Sequence, residues 1–399
     1  MTQETGVPFP PLSPARMARR DWLRLLGTAA GGTLLFHCGA GCGYFPAQDG
    51  AAYAPWAYPG AETVPELLAA RAALLAANPH NSQPWALHVT ASAIDLYADF
   101  TRGLASIDSL QRELHLGLGC ALENLVVAAR ASGRAAAVQL FPDEAVPSLV
   151  ARVALSPAAP VADPLFGAIA RRHTNRGRYA DTPAPAALGP ALQALVTDAG
   201  EPGVRLRILE SDADKTSFRA GTIDATVAFI ADAEMSRDSN AWYRQSADDI
   251  LQHRDGITLD ASGNGSATRF FGKLLGRPSD ATANSYWLDS TKGDQTNATA
   301  FCILSTPAGN NRADQLRAGR VYQRIALWAE TQGLATQPLN QLAELQDREE
   351  TQGLAPRFTG VLDALVGAQG QRGQMLFRLG YPWDPALESP RRPLEWVTR

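Results

Sequence analysis

The chain has 399 residues, enough to bury a sizeable core and, by length alone, to form two or three domains. A composition of 45% hydrophobic and 19% charged residues, with 34 Gly and 27 Pro, excludes a wholly disordered or collagen-like polymer. The net charge is -4 and no long basic stretch lies beyond the N-terminus, which argues against a nucleic-acid partner, since that needs a clustered cationic face.

Residues 1–45 read as an export signal rather than as part of the fold. Ala18-Arg19-Arg20-Asp21-Trp22-Leu23-Arg24 has the form of the twin-arginine (Tat) motif: paired arginines, then an aromatic, a leucine and a basic residue. The apolar run from Leu25 to Phe36 falls short of the roughly 20 residues that span a bilayer. Two removal sites compete. Gly39-Ala40-Gly41-Cys42 places small residues before a cysteine, as a lipoprotein site does, but lacks the usual Leu or Val; Ala40 would suit a conventional peptidase. Lipidation of Cys42 would anchor the protein without making it span the membrane. The expected location is the periplasm or cell envelope, with membrane contact only through the signal or that lipid. The twin-arginine route carries folded proteins, which suits a protein that acquires a cofactor before export. Cys120 and Cys302 sit in apolar runs and read as small core hydrophobes, and no disulfide framework or zinc site is indicated.

Residues 46–62, rich in Ala, Tyr, Gly and Pro without helical period, read as a linker. From Thr63 apolar residues recur at helix spacing, with Thr63 or Glu62 as the cap, until Asn78-Pro79 stops the helix. Trp85 to Val89 and Ala93 to Tyr97 alternate like two strands. Leu110 to Ala131 is a long helix with little polar face, ending at Ser132-Gly133. Ala136 to Phe141 and Leu149 to Leu155 form a further strand pair. The pattern then recurs in outline: helices at Pro164 to Arg172 and Leu188 to Val196, and a strand at Val204 to Leu209. Helices at Asp214 to Ala231 and Glu234 to Leu251 follow. The Gly- and Ser-rich stretch from Asp255 to Tyr286 reads as a loop or lid. A strand at Ala298 to Thr306, a helix at Asp314 to Gln332 and a last strand at Gln374 to Leu379 complete the chain. The expected class is α+β: mixed sheets flanked by helices, in two halves at 63–160 and 161–399 that duplicate one another in architecture.

Two strings carry the chemistry. Asn78-Pro79-His80-Asn81-Ser82-Gln83-Pro84-Trp85 sets amide and hydroxyl groups in a loop stiffened by two prolines, because the residue before a proline is pushed away from helical geometry. Arg171-Arg172-His173-Thr174-Asn175-Arg176 places guanidinium forks beside a hydroxyl, a set suited to a phosphate. The first string resembles the flavin-contacting loop of the nitroreductase superfamily, and the second resembles that family's phosphate-holding element. His173 stands where the family commonly has an arginine, so which of Arg171, Arg172 and His173 points inward stays open. The segment Gly333-Leu334-Ala335-Thr336-Gln337-Pro338-Leu339-Asn340-Gln341, after a long helix, resembles the family's Gly-Leu-x-Thr element, whose backbone N–H groups would face the flavin near N5 or O4. Phe377 to Pro382 and Ser389 to Pro393 resemble the final strand and basic tail, with Arg391 or Arg392 returning to the phosphate.

In ordinary nitroreductases the phosphate element precedes the flavin loop. The reversed order here resembles the Acg-type FMN-binding oxidoreductases, from about Thr63 to Val397. The resemblance implies one FMN held by Pro79, His80, Asn81, Ser82, Gln83, Arg171, Arg172, Thr174, Asn175, Arg176, Gly333, Leu334 and Arg391, at the seam of a monomer with pseudo-dimeric halves. It implies two-electron reduction of a small electron-poor acceptor, a nitro compound or quinone, with NAD(P)H or another donor. The alternative is an exported protein that holds FMN without turnover. No residue is assigned a catalytic role and no metal is expected. Trp242, Tyr243 and the 255–286 segment are expected to cover the slot. Gly263-x-Gly265 lacks the strand and helix of a dinucleotide fingerprint, and His115 and His253 read as helix-face residues.

Overall fold

A computed structural model describes residues 49–399. The twin-arginine motif, both removal sites, Cys38 and Cys42 lie outside the described residues. The segment expected to be a linker is instead part of the core: Tyr53, Trp56 and Tyr58 are buried, and Trp56 Nε1 donates to the Ser389 carbonyl at 2.8 Å. Its aromatics are set by a single 3₁₀ turn, Ala54–Ala57, so no period announced their burial.

Helix α1 (Pro65–Ala73) begins where the Glu62 carboxylate accepts the N–H groups of Thr63 and Val64 and Pro65 takes the first turn. Strands β1 (Trp85–Val89) and β2 (Ala93–Ala98) follow as expected. Helix α2 (Arg112–Ala131) is buried along nearly its whole length, which explains its missing polar face. The Asp108 carboxylate caps it by accepting the Glu113 and Leu114 N–H groups at 2.9 and 2.8 Å. With β3 (Arg134–Leu140) and β4 (Leu149–Pro157), the first sheet runs β1-β2-β4-β3 and is antiparallel throughout.

The rest of the chain contributes α3 (Pro164–Ala168), α4 (Leu188–Ala199), β5 (Arg205–Leu209) and α5 (Asp212–Ala231). The helix expected at 234–251 is broken into α6 (Ala233–Asn240) and α7 (Ala247–His253) around β6 (Tyr243–Arg244). Asp232 and Ser246 cap the two pieces separately. After β7 (Ile257–Thr258), the stretch expected to be a loop carries α8 (Ser266–Leu274) and α9 (Asp280–Ser290). Then come β8 (Ala300–Pro307), α10 (Arg312–Thr331), β9 (Ala335–Pro338), α11 (Gln341–Gln352), α12 (Arg357–Val366), β10 (Gln371–Gly380) and α13 (Leu394–Val397). The second sheet runs β5-β8-β10-β9, again antiparallel; among the strands of the described residues only β6 and β7 pair in parallel, with single parallel bridges at Leu87–Thr398 and Thr174–Thr336.

The two sheets are drawn from separate stretches of chain, and α2 and α10 meet between them. Their contact is reciprocal. A Cβ on Gly119 would stand 2.1 Å from the Leu316 carbonyl oxygen, and one on Gly319 would stand 2.1 Å from that of Leu116. Only glycine permits so close a backbone approach. A second core gathers α5, α11, α12 and β8 around the stacked rings of Phe218 and Phe301, 4.4 Å apart. Cys120 and Cys302 are free and buried, as expected of small core hydrophobes.

Arg378 on β10 pins the 175–177 loop to this frame. It is fully buried, and its guanidinium donates to Gln337 Oε1 at 2.8 Å and to the carbonyls of Asp294, Asn297, Asn175 and Gly177. Arg378→Met would remove a donor from Gln337 and from all four carbonyls, of which Asn175 keeps the Tyr179 hydroxyl and Asp294 the Asn297 N–H, so a loss of at least about 3 kcal/mol is expected in denaturant unfolding. Lysine, with no planar fork, should recover little of it. A methionine variant as stable as wild type would contradict this assignment.

Candidate functional site

A cavity of about 740 Å³ lies between the 78–80 loop, α2, β9 and the α8–α9 hairpin. The loop reaches it through a tight reversal. His80, Asn81 and Gln83 have φ of 47°, 54° and 53°, a left-handed geometry that costs ordinary residues energy and is held here by side-chain bonds. Asn78 Oδ1 accepts the Gln83 N–H at 2.8 Å. Asn81 Nδ2 donates to the Gly256 and Pro390 carbonyls, and Gln83 Nε2 donates to that of Arg254 at 2.8 Å. Gln83 Oε1 accepts the Arg392 N–H at 2.8 Å.

These bonds change the roles expected of the loop. Pro79 and His80 line the cavity, whereas Asn81, Ser82 and Gln83 do not. The amide nitrogen of Asn81 and both amide atoms of Gln83 hold the 254–256 segment and the 390–392 tail in place, while Asn81 Oδ1 is buried without a hydrogen-bond partner. Ser82 Oγ is buried without a hydrogen-bond partner. Arg392 binds the loop through Gln83, leaving Arg391 as the inward arginine of the tail.

The basic string sorts itself by direction. Arg171 turns outward, to the Gly167 carbonyl and to Glu330 at 3.4 Å. His173 packs its ring on Trp56, centroids 4.4 Å apart. Arg172 turns inward, 2% exposed, and spends only Nη2, on the Leu75 carbonyl at 3.1 Å. Its Nε and Nη1 have no hydrogen-bond partner, and neither do Nε and Nη1 of Arg391, itself 4% exposed. Burial, and the charge of Arg172 beside it, hold Arg391 well below the usual guanidinium range. Arg176 lines the cavity, donates to the Ala261 carbonyl at 3.1 Å and is lowered by burial to about 10.

Two buried cations with four idle donors form an arrangement that is costly unless an anion completes it. Thr174, bridged to Thr336 of β9, adds a cavity-lining hydroxyl residue. Asn175 is occupied elsewhere, donating to the Asp384 carbonyl and accepting the Gly177 N–H.

The Gly333-Leu334 segment also departs from expectation. The N–H of Leu334 returns to the Ala329 carbonyl and that of Gly333 to Glu330, which closes α10 with a Schellman cap. Those donors are therefore used within the helix end; Gly333 is exposed and Leu334 joins the core. From this stretch Gln337 and Pro338 line the cavity instead. On the far side Tyr243 and residues of α8 and α9 form its wall. Trp242 stands apart, flanked by Arg102 and Arg244, both of which grip Asp255.

Sequence reasoning missed Tyr322 of α10, Glu113 of α2 and Glu344 of α11, all of which line the cavity, and named Gln341 only as the end of the Gly333–Gln341 segment. The first two sit in long helices where periodicity signals only burial. Glu344 opens a charge-rich stretch, 344–350, in which composition singles out no residue. Among the described residues no group of His, Cys, Asp and Glu is arranged to hold a metal.

Three imidazoles are kept neutral. Burial first, then a nearby arginine, lowers His80 to about 4; burial lowers His115 to about 4; and burial with Arg172 and Arg391 lowers His173 to about 3. Their unfolded forms take up protons near pH 6.5 while the folded forms do not, so the stability they give above that pH is lost as pH falls toward 4. Asp108, raised to about 7 by burial and Glu113, acts with the opposite sign over the same window. His115→Leu should therefore lose roughly 1–2 kcal/mol less than wild type between pH 7 and 5. Equal losses in urea titrations at the two pH values would contradict this.

Comparison with known proteins places these features among relatives. Over 346 residues the chain is 30% identical to the Mycobacterium tuberculosis protein named "Putative NAD(P)H nitroreductase Rv3131", covering 85% of this chain and 92% of the relative. Over 324 residues it is 27% identical to "Putative NAD(P)H nitroreductase acg" of the same species, covering 80% of this chain and 90% of the relative. The crystal structure of the FMN-dependent nitroreductase NfnB from Mycobacterium smegmatis in complex with NADPH is 16% identical, with a TM-score of 0.36, covering 59% of this chain and 98% of that one. No family model matches the chain.

Proposed function

The chain belongs to the nitroreductase family, and from that premise we propose that it is an FMN-dependent oxidoreductase taking electrons from NAD(P)H and delivering them, two at a time, to a small electron-poor acceptor such as a nitro compound or quinone. The observation that carries the reading is the pair Arg172 and Arg391, with four buried guanidinium nitrogens that lack partners. A flavin phosphate supplies the charge and the acceptor oxygens that this pair requires. FMN bound there would supply the redox chemistry, accepting hydride from the nicotinamide and passing electrons to the acceptor.

The protein's part is binding and orientation. Arg172 and Arg391 would hold the phosphate, and Thr174 and Arg176 line the cavity. Neutral His80, whose Nε2 lies 3.0 Å from Ser239 Oγ, faces the slot without adding a cation to it. The α8–α9 hairpin limits water.

The same reading includes an internally duplicated, monomeric chain with its single site near the seam, for which the reciprocal glycine contact of α2 and α10 is the main support. It also includes export by the twin-arginine route to the cell envelope, supported by the paired arginines and short apolar run at the N-terminus. The helical cover over the cavity favours one alternative: an exported protein that retains FMN without turnover.

Absorbance of the purified protein decides between the two. Flavin bands that bleach under NADH or NADPH without oxygen, and return on adding a nitroaromatic or quinone, are the expected result. Bands that persist under both nucleotides would favour the holding protein. A colourless chain that takes up no added FMN would overturn the proposal.

A further inference from the structure

Two carboxyls and a primary amide from two helices line the same cavity. Glu113, in the first turn of α2, and Gln341 and Glu344, three residues apart on one face of α11, all line it and are 5%, 5% and 7% exposed. Every neighbouring cation is already committed. Arg112 donates to Asp347 and to the Gln374 carbonyl, both at 2.7 Å, and reaches Glu113 only at 3.5 Å. Arg372 is shared between Asp347 and Glu350. Glu344 has no ion pair among the described residues. Independently of the carboxylates, Gln341 Oε1 is buried and has no hydrogen-bond partner.

Buried acceptors cost free energy until a donor reaches them. Phe229 and Trp287 line the same cavity, edge to face with centroids 5.0 Å apart, and offer aromatic surface to a flat or cationic group. Burial and the nearby Glu113 carboxylate hold the Glu344 carboxyl well above the usual range, and a cation beside it would oppose that shift.

We propose that this acidic cluster makes the protein select flat acceptors carrying a protonated nitrogen, such as an amine or amidine, with Glu344 and Glu113 as counter-charge and Gln341 as an additional acceptor. The inference rests on the oxidoreductase reading for the word acceptor; the binding site itself does not. Its test therefore begins with ligands that cannot be reduced. Calorimetry on the purified full chain would compare 4-methylbenzylamine with 4-methylbenzyl alcohol, which differ in charge and little in shape. The amine should bind at least tenfold tighter. Glu344→Gln, which keeps the size and hydrogen-bonding capacity of a protonated carboxyl, should abolish that ratio, and Gln341→Leu should weaken amine binding several-fold.

Equal affinities in wild type, or a ratio that survives Glu344→Gln in protein with an unchanged melting temperature, would overturn the proposal. If flavin is bleached by nicotinamide, kcat/KM should show the same preference for 4-nitrobenzylamine over 4-nitrobenzyl alcohol. Amine selectivity in protein that never reduces a flavin would sink the oxidoreductase reading and leave the site standing.

Discussion

Arg172→Leu is expected to act in opposite directions on two measurements: flavin retention is lost while the flavin-free protein melts at a higher temperature. Each charge-assisted hydrogen bond to phosphate is worth about 1.5–3 kcal/mol, so losing two weakens FMN binding by roughly 10²- to 10⁴-fold. In the flavin-free protein the same side chain is a buried cation with two idle nitrogens, an arrangement that costs several kcal/mol. Removing it forfeits one bond to the Leu75 carbonyl, worth about 1–3 kcal/mol, and relieves repulsion with Arg391. Relief wins. Arg391→Met should behave alike, although it also gives up the guanidinium that lies over the Trp56 ring. A purely structural arginine would give the reverse pattern: lower melting temperature and flavin retained.

Gly119→Ala should be among the most damaging single-methyl additions in the chain. An alanine in a helix is ordinarily favoured over glycine by about 1 kcal/mol. Here the new Cβ would stand 2.1 Å from the Leu316 carbonyl oxygen, and the obstacle is helix backbone, which cannot rotate away. Helices α2 and α10 must separate, for an expected cost of at least about 3 kcal/mol. Gly319→Ala meets the Leu116 carbonyl in the same way. Because one separation serves both, the double variant should lose clearly less than the sum of the singles. Leu116, Gly117, Cys120 and Tyr322 from these helices line the cavity, so flavin affinity should fall together with stability. Gly360→Ala on α12, with nothing within 4 Å of the added carbon, is the control and should gain up to about 1 kcal/mol. Wild-type stability in Gly119→Ala would show that the two helices are free to part.

Much of the frame was legible in the sequence because its elements bury one face or all faces. The alternation of Trp85 to Val89 and the all-round apolarity of Leu114 to Val127 each have a single physical explanation. The inward turn of Arg172 was not legible. Arg171 and Arg172 are chemically identical neighbours, and only the short α3 and the Glu330 partner of Arg171 decide which one faces the interior. Asn81 and Gln83 misled for a related reason. An amide that binds a ligand and an amide that clamps a chain tail have the same composition, and the tail, Pro390 to Arg392, arrives from the other end of the sequence. Gly333 suited both a donor loop and a helix cap, since each needs the same left-handed residue; the hydrogen bonds chose the cap.

Helix α8 escaped notice although Ala267, Phe270, Phe271 and Leu274 form an apolar stripe, because the Gly and Ser around it read as loop; α9 escaped because its apolar residues follow no helical period. Helix α11 escaped because Glu344 and Asp347 look solvated until Arg112 and Arg372 are seen to enter from outside it.

The most direct test of the phosphate assignment is a comparison of FMN with riboflavin, which has the same ring system without the phosphate. If Arg172 and Arg391 hold that phosphate, flavin-free protein should bind FMN at least about 100-fold more tightly than riboflavin, at one FMN per chain, and Arg391→Met should erase the difference. Equal affinity of the wild-type chain for the two flavins would contradict the account.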